Sequence, residues 1–313
     1  MATITAFMGL LLALYVYLCM DVRSPKWLVR PARDTLTEPY ECADLLGSLT
    51  LCYKDHCFQS WKPPRAHHCT TCGVCRLNYD HHCPWLGNCV TLDIMKEFLL
   101  FLYLCPLAFV VGAAPVARIL LRHAASAYRS SRADGWAQAL WWDWPGSWFL
   151  FAGPLGRPIF GTLLGYSILQ ANQDLSWLSG QTIQQPCLHI ALVAGLAFLM
   201  SIFTLGLAIM TTRNILRGQT AVETLRSSSR RNILLLVPCE ISRGTPTPDA
   251  DDAMYGRVHR LRHDTRLYDL GWRRNWRAVV QKPLFARRVA NESTFSWPKL
   301  NPAVLRHVRE YCG

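Results

Sequence analysis

Charged side chains are absent from three long stretches of this 313-residue sequence. Residues 1–20, 98–117 and 175–212 contain no Asp, Glu, Lys or Arg, and charged residues make up only 17% of the chain. A helix needs about 20 apolar residues to cross the hydrocarbon core of a bilayer. With 51% hydrophobic residues and a mean hydropathy of +0.11, these absences argue against an ordinary soluble protein. They predict an α-helical integral membrane protein with transmembrane helices at 1–20, 98–117 and 188–210.

Three further absences narrow the possible functions. The N-terminal stretch lacks the basic start and the small-residue cleavage site of a signal peptide, so we interpret it as a transmembrane helix. The predicted spans lack the acidic residues and buried histidines of a metal transporter. No stacking or groove-reading motif indicates nucleic acid as a partner. The net charge of +12, of which residues 213–313 carry +10, is therefore interpreted as contact with anionic lipid headgroups.

The chain has little cysteine outside one region. Seven of the thirteen cysteines and five of the ten histidines lie within residues 52–89. An odd cysteine count and closely spaced pairs argue for metal ligands rather than a disulfide framework. Zinc prefers four Cys or His ligands in a tetrahedron, so eight such side chains would make two Cys3His sites. The eight candidates are Cys52, Cys57, His68, Cys69, Cys72, Cys75, His82 and Cys89.

This ligand count leaves Cys83 over. A free cysteine beside a histidine and an aspartate has the groups that a thiolate nucleophile needs. His81 can hold or accept the thiol proton, and Asp80 can fix the tautomer of the imidazole and stabilise its cationic form. The alternative interpretation is a structural double zinc module in which residues 80–83 are only a loop.

The order Asp80-His81-His82-Cys83, preceded by KPPRAHHC and followed by PWLGNC, resembles the DHHC protein S-acyltransferases, or palmitoyltransferases, over about residues 57–98. The resemblance implies that Cys83 takes palmitate or a similar long-chain acyl group from acyl-CoA. It also implies that the acyl group then passes to a cysteine of a protein substrate, with His81 as base and Asp80 as its orienting group.

The resemblance also divides the zinc ligands between two ions. It places Cys52, Cys57, His68 and Cys75 on one zinc, and Cys69, Cys72, His82 and Cys89 on the other. The family usually begins with a Cys-x2-Cys pair, whereas this chain has Cys52-x4-Cys57. His56 is therefore an alternative ligand to Cys52.

The tail contains shorter resemblances to the same family. Thr220-Ala221-Val222-Glu223 is similar to the family's Thr-Thr-x-Glu motif, but alanine stands where a threonine contacts the DHHC aspartate. We therefore expect this support of Asp80 to be weakened. Asn275 and Trp276 match a cytosolic segment of the family and are expected to pack against the membrane-facing core.

Basic residues set the expected topology. Four of them follow the first span within residues 23–33, so the positive-inside tendency places the 21–51 linker and the 52–97 zinc module in the cytosol. Residues 118–187 are expected to be lumenal or interfacial, with 148–170 either a re-entrant segment or an extra span. Three spans leave the basic tail, 211–313, in the cytosol, whereas four would place it outside.

The resemblance completes the expectations. The family usually has two spans before the zinc module, whereas one is predicted here, and whether a first helix is missing from this sequence stays open. The expected location is an endomembrane (ER, Golgi or vacuole), with the active site facing the cytosol. Lys62 and Arg65 are candidates for binding the CoA phosphates, or else are solvated loop charges. Expected partners are acyl-CoA, the bilayer, proteins with membrane-proximal cysteines and an accessory subunit. The rival hypothesis is a non-enzymatic, membrane-anchored zinc scaffold.

Overall fold

The computed structural model describes residues 2–20, 30–32, 35–150, 153–171, 186–228, 232–238, 256–285 and 295–310. These form two compact units. The described residues within 1–8 and 103–206 make up one unit, and those within 9–102 and 207–313 make up the other. The candidate ligands and the candidate nucleophile all belong to the second unit.

Ten α-helices are present in the described part of the chain. They are α1 (Ala2–Cys19), α2 (Met95–Ala113), α3 (Ala117–Ala133), α4 (Gly135–Ala137), α5 (Gly146–Phe149), α6 (Gly153–Ala171), α7 (Leu188–Leu216), α8 (Ala221–Ser228), α9 (Trp272–Val280) and α10 (Pro302–Glu310). Composition explains the longest ones, since apolar residues with good helix propensity dominate α1, α2 and α7. Pro115 follows α2 by two residues and cannot continue its hydrogen-bonding pattern.

Two of these helices, α2 and α7, are long and apolar enough to cross a membrane, and residues 4–19 form a shorter apolar helix. The boundaries differ from the predicted spans. Helix α2 ends at Ala113 rather than at residue 117, and α7 extends to Leu216 rather than 210. Residues 153–171 are helical, which does not distinguish a re-entrant segment from a span. The topology stays a prediction.

The cysteine-rich region is built from three short antiparallel hairpins. Hairpins suit this role because each tight turn brings two strand ends, and hence two ligands, close together. Strand β2 pairs with β3, β4 with β5, and β6 with β7. The strands are β2 (Leu51–Cys52), β3 (Ser60–Trp61), β4 (His67–Cys69), β5 (Val74–Arg76), β6 (Tyr79–Cys83) and β7 (Asn88–Thr91).

A three-stranded sheet joins the predicted linker to the predicted tail. Strand β8 (Ile233–Pro238) lies between β1 (Tyr40–Glu41) and β9 (Gly256–Leu261), and both pairings are antiparallel. Apolar residues of β8 and β9 pack with α10 residue Val308 in one core cluster. The tail is therefore partly folded, and its basic composition gave no indication of this sheet.

The main core of the second unit lies beneath the β6–β7 hairpin. Cys83, Val90 and Phe98 share it with Leu18 of α1, and the cluster extends to Ile215 of α7 and Val279 of α9. The side chain of Trp276 packs against the same cluster, and Asn275, the preceding residue of α9, is buried. Segments far apart in sequence thus meet at the candidate nucleophile.

The other unit contains a helical pair. Helix α3 packs against α6 closely enough that a Cβ on Gly165 would lie 1.8 Å from the backbone oxygen of Ala127. Buried Trp142 donates its Nε1–H to the hydroxyl of Ser131, at 2.9 Å, and stacks with the guanidinium of Arg132. The segment expected to be lumenal or interfacial thus uses some of its tryptophans in packing, while Trp136, Trp144 and Trp148 are exposed.

Candidate active site and metal centres

The first metal-ligand cluster is formed by Cys52, Cys57, His68 and Cys75. Cys52 ends β2, Cys57 ends a 3-10 turn, and His68 lies opposite Cys75 in the β4–β5 pairing. The Nδ1 atom of His68 lies 3.4 Å from the Cys52 sulfur and 3.7 Å from the Cys75 sulfur. Cys52, not His56, completes this group.

The second cluster is formed by Cys69, Cys72, His82 and Cys89. His82 and Cys89 face each other across the β6–β7 hairpin, whereas Cys69 and Cys72 come from the preceding hairpin. The Nδ1 atom of His82 lies 3.5 Å from the sulfurs of Cys69 and Cys72 and 3.7 Å from that of Cys89. The two hairpins therefore share one potential ion.

Both clusters have the dimensions of a tetrahedral zinc site. In each, the four ligand atoms lie within 4.8 Å of one another. With Zn–S near 2.3 Å and Zn–N near 2.0–2.1 Å, the edges of a tetrahedron are about 3.6 Å from sulfur to nitrogen and about 3.8 Å from sulfur to sulfur. The observed separations of 3.4–3.7 Å match these edges. The clusters could hold two metal ions, and thiolate with imidazole suits zinc.

Cys83 stays outside both clusters. It ends β6, pairs with Asn88 across the hairpin, and is 7% exposed. Its neighbours in the core are apolar side chains, among them Leu86 and Val90. A thiol in this position has no metal to hold its charge, so its ionisation depends on nearby side chains.

His81 and Asp80 are the side chains that affect the ionisation of Cys83. The His81 Nδ1 atom lies 2.7 Å from Oδ2 of Asp80, which is 6% exposed. Because the carboxylate accepts the Nδ1–H, the Nε2 atom of the imidazole is left to exchange protons. The ring of Phe98 meets the His81 ring edge-on at 5.5 Å and limits its movement.

The two ionisable partners have opposite pKa shifts. Burial by itself lowers the pKa of His81, but hydrogen bonds with Asp80 and Cys83 outweigh it and raise that pKa to about 9. Burial raises the pKa of the Cys83 thiol, but hydrogen bonding from His81 and from the backbone N–H of Leu86 brings it below its ordinary value. Both shifts favour a thiolate beside an imidazolium at neutral pH.

Comparison with known proteins identifies this arrangement. The family model of the DHHC palmitoyltransferases matches residues 49–140. A segment of 46 residues is 56% identical to Palmitoyltransferase PFA3 of Candida glabrata, covering 15% of this chain and 14% of that protein. Residues 49–140 therefore match the DHHC palmitoyltransferase domain.

Other relatives give the same result. A segment of 56 residues is 52% identical to Palmitoyltransferase ZDHHC15 of Xenopus laevis, covering 18% of this chain and 16% of that protein. A segment of 75 residues is 45% identical to Palmitoyltransferase ZDHHC2 of Homo sapiens, with coverages of 24% and 19%. The matches thus span less than a quarter of the length of these relatives and concern the DHHC domain.

The DHHC aspartate has a second partner, which the sequence did not indicate. The backbone N–H of Ala221 donates to Oδ1 of Asp80 at 2.8 Å. Alanine at this position was expected to weaken the support of Asp80, but a backbone donor needs no side chain. Both carboxylate oxygens of Asp80 are therefore hydrogen-bonded.

A capping box fixes the Ala221 donor. The Thr220 hydroxyl accepts from the backbone N–H of Glu223 at 3.2 Å, and a Glu223 carboxylate oxygen accepts from the backbone N–H of Thr220 at 2.9 Å. This reciprocal pair at the start of α8 is the geometry of the Thr-x-x-Glu capping pattern. That pattern is visible in the sequence and could have located the turn.

Arg65, a candidate for CoA binding, is engaged within the DHHC domain and its tail. Its guanidinium donates to both carboxylate oxygens of Glu223, at 2.8 and 2.9 Å, and to the Gly218 carbonyl, at 2.7 Å. It also lies 4.4 Å from the centre of the Tyr268 ring. The prediction that Arg65 and half-buried Lys62 contact CoA phosphates therefore rests on their charge alone.

Asn88 is a further residue of the site that the sequence motif does not indicate. Its side-chain amide donates to the carbonyls of Leu18 and Met20, at 2.9 and 2.7 Å, at the end of α1. Its Oδ1 accepts from the backbone N–H of Cys89 at 2.8 Å. Because Asn88 pairs with Cys83, it ties α1 to the hairpin that carries the nucleophile.

Proposed function

We propose that the chain is a protein S-acyltransferase, which transfers palmitate or a similar long-chain acyl group from acyl-CoA to cysteines of protein substrates. The observation that carries the proposal is the exclusion of Cys83 from both metal clusters, on the same strand as an imidazole, His81, whose Nδ1–H is held by Asp80. A structural zinc module has no need of a free, ionised thiol beside an oriented imidazole.

In the first step the Cys83 thiolate attacks the carbonyl carbon of the acyl-CoA thioester. The proton that left Cys83 resides on the His81 imidazole, because the raised pKa of His81 favours the imidazolium. As the tetrahedral intermediate collapses, the bond between the carbonyl carbon and the CoA sulfur breaks. CoA leaves with the proton from His81, and Cys83 holds the acyl group as a thioester.

In the second step His81, now neutral, accepts the thiol proton of a substrate cysteine at Nε2. The substrate thiolate attacks the Cys83 thioester, and the bond from the carbonyl carbon to the Cys83 sulfur breaks. Cys83 returns to the thiolate beside imidazolium His81. Asp80 stabilises the imidazolium in both steps, because its carboxylate accepts the Nδ1–H.

The two clusters would hold two zinc ions with the ligand sets given above. Zinc in a closed four-ligand site contributes folding free energy rather than a reactive position. The clusters would thereby fix the positions of the residues next to the metal ligands. Strand β6 ends in the sequence from Tyr79 to Cys83, so the fixed position of His82 in its cluster also fixes its neighbours His81 and Cys83.

A membrane setting fits the acyl substrate. Cys83 packs with Phe98 and Leu102, in the first two turns of apolar α2. In the proposed topology α1, α2 and α7 span the bilayer, the DHHC domain and the tail face the cytosol, and 148–170 is re-entrant or an extra span. A fatty acyl chain on Cys83 would then reach the hydrocarbon region directly. Protein cysteines near the membrane would be the natural acceptors.

Single-turnover transfer tests the two-step proposal. The purified chain is incubated with radiolabelled palmitoyl-CoA, free acyl-CoA is removed, and a cysteine-containing lipidated peptide is added. We expect hydroxylamine-sensitive label on the protein to fall as label on the peptide rises. Stable label that never reaches the peptide would contradict transfer. An absence of label on an intact, zinc-loaded chain would favour the scaffold hypothesis.

A further inference from the structure

His68 has a partner outside the first cluster. Its Nδ1 atom faces the sulfurs of Cys52 and Cys75, and its side chain is 4% exposed. Its other ring nitrogen, Nε2, lies 3.0 Å from Oδ2 of Asp55. A neutral imidazole that donates from Nε2 keeps a lone pair at Nδ1. The contact with Asp55 therefore selects the tautomer that can bind a metal through Nδ1.

Asp55 lies in the loop created by the Cys52-x4-Cys57 spacing. It begins the 3-10 turn Asp55–Cys57, with φ of 41° in the left-handed region. Aspartate tolerates this region better than most residues with a side chain. The loop thus places a carboxylate directly behind a ligand histidine, which a shorter loop with no residue at this point would not do.

We propose that Asp55 is a positioning residue for the metal at the first cluster, acting through His68. Such carboxylate–histidine–metal arrangements orient the imidazole and raise its basicity as a ligand. The second cluster differs, because no carboxylate among the described residues makes a corresponding contact with His82. The inference rests on the metal-binding part of the proposed function and not on acyl transfer.

The exposure of Asp55 limits the size of the effect. Its side chain is 56% exposed, so water competes for its carboxylate oxygens. Loss of an outer partner typically lowers metal affinity by about 10- to 100-fold, and the lower end suits a half-exposed group. Loss of Asp55 should therefore release one of two zinc ions about tenfold faster, and leave the other unchanged.

Chelator-driven zinc release from the full chain in detergent micelles tests this inference. The chain is loaded with zinc, and release to 4-(2-pyridylazo)resorcinol is followed over time. Asp55→Gly removes the carboxylate while relieving the left-handed backbone, so faster release cannot result from strain. Asp55→Asn keeps an acceptor oxygen without the charge. Gln59→Gly is the matched control, since exposed Gln59 has a φ of 60° in the same connection between β2 and β3.

We expect one release phase to accelerate about tenfold in Asp55→Gly, to accelerate less in Asp55→Asn, and to be unchanged in Gln59→Gly. In a His68→Ala background, Asp55→Gly should have no further effect. Wild-type release from Asp55→Gly, or equal acceleration of both phases, would overturn the inference alone. If Asp55→Gly does not fold, Asp55→Asn decides by the same criterion. A wild-type chain that binds no zinc would overturn the metal assignment itself.

Discussion

At the scale of single residues, the candidate site depends on three neighbouring side chains whose charges stabilise one another. Asp80 raises the pKa of His81, and the His81 imidazolium lowers that of Cys83. The pKa of Cys83 lies below the ordinary thiol value, and above that pKa the thiolate predominates. The His81 imidazolium persists up to about pH 9. The ion pair therefore exists between these two limits. Because the groups are coupled, the two limits belong to the pair rather than to either residue.

This coupling gives a pH-dependent prediction. Without His81, the Cys83 thiol loses the largest of the interactions that lower its pKa, so the fraction of thiolate at pH 7 falls. We expect His81→Ala to lower the rate of acylation by acyl-CoA by about 100-fold at pH 7 and by progressively less as the pH rises toward 10. Rapid-quench labelling between pH 6.5 and 10 measures this. His82→Ala should instead lose zinc, and a deficit of equal size at every pH would contradict the role of His81.

The Ala221 backbone donor gives a second prediction at this scale. Ala221 begins α8, where proline is well tolerated, so Ala221→Pro removes the N–H that binds Asp80 with little cost to the helix. A hydrogen bond to a charged group contributes about 1.5–3 kcal/mol. We expect acylation to slow by about tenfold or more, with zinc content unchanged.

The matched control is Ala221→Ser, which keeps the backbone N–H and should retain the wild-type rate. If both variants slow acylation equally, the backbone contact has no part in positioning Asp80. Loss of zinc from the proline variant alone would also contradict the assignment, since it would indicate a general structural defect.

At the scale of elements, one buried asparagine connects two helices of the second unit. The Asn275 side chain donates to the Leu216 carbonyl at the end of α7 and to Asp269, at 3.0 and 2.8 Å. Its Oδ1 accepts from the backbone N–H of Leu270 at 3.0 Å. It therefore satisfies three polar groups where α7 ends and α9 begins.

Replacement of this residue should destabilise the chain. Asn275→Ala leaves buried polar groups without partners, at a cost of about 1–3 kcal/mol each. We expect a lower midpoint of thermal unfolding for detergent-solubilised protein, followed by tryptophan fluorescence. Arg274→Ala, at an exposed position of the same helix, is the control and should unfold like the wild type. Equal midpoints for all three proteins would show that the Asn275 contacts contribute nothing.

The sequence was informative wherever chemistry is local. Cys69, Cys72 and Cys75 recur at a spacing that metal binding explains, and the structure brings the eight predicted ligands into two groups of four. The assignment of their roles stays a prediction. By contrast, β1 pairs residues 40–41 with residues 235–236. No local pattern in a two-residue strand specifies a partner nearly 200 positions away.

Two tertiary contacts could not be predicted from the sequence for a related reason. Asp80 was expected to lose support because Ala221 lacks a hydroxyl, yet the backbone N–H makes the contact. Arg65 was considered a candidate for binding CoA, since the sequence does not show that Arg65 pairs with Glu223, 158 positions away. In both instances, tertiary structure supplied a partner that side-chain identity alone did not reveal.

At the scale of the whole molecule, membrane topology decides which segments share the cytosolic side with the DHHC domain. Only α2 and α7, among the described helices, are long and apolar enough to cross a membrane. The N-glycosylation acceptor sequence Asn291-Glu292-Ser293 lies outside the described residues. Three spans would place it in the cytosol with the DHHC domain, whereas a fourth span at 148–170 would place it in the lumen.

Glycosylation reports which arrangement is present. We expect no mobility shift on endoglycosidase treatment of protein expressed in a glycosylating cell, because cytosolic acceptor sites are not modified. Acceptor sequences added near residue 130 and after residue 313 serve as paired controls, and only the first should carry a glycan. A glycan at Asn291 or after residue 313 would place the tail outside and require 148–170 to span the membrane.

The proposed function depends on Cys83 being the acylated nucleophile and not a metal ligand. The direct test is to incubate wild-type and Cys83→Ser protein with an alkyne-tagged acyl-CoA and to measure bound zinc on the same samples. We expect hydroxylamine-sensitive label on the wild type, none on Cys83→Ser, and about two zinc ions in both. Undiminished label on Cys83→Ser, or loss of a zinc ion with the substitution, would contradict it.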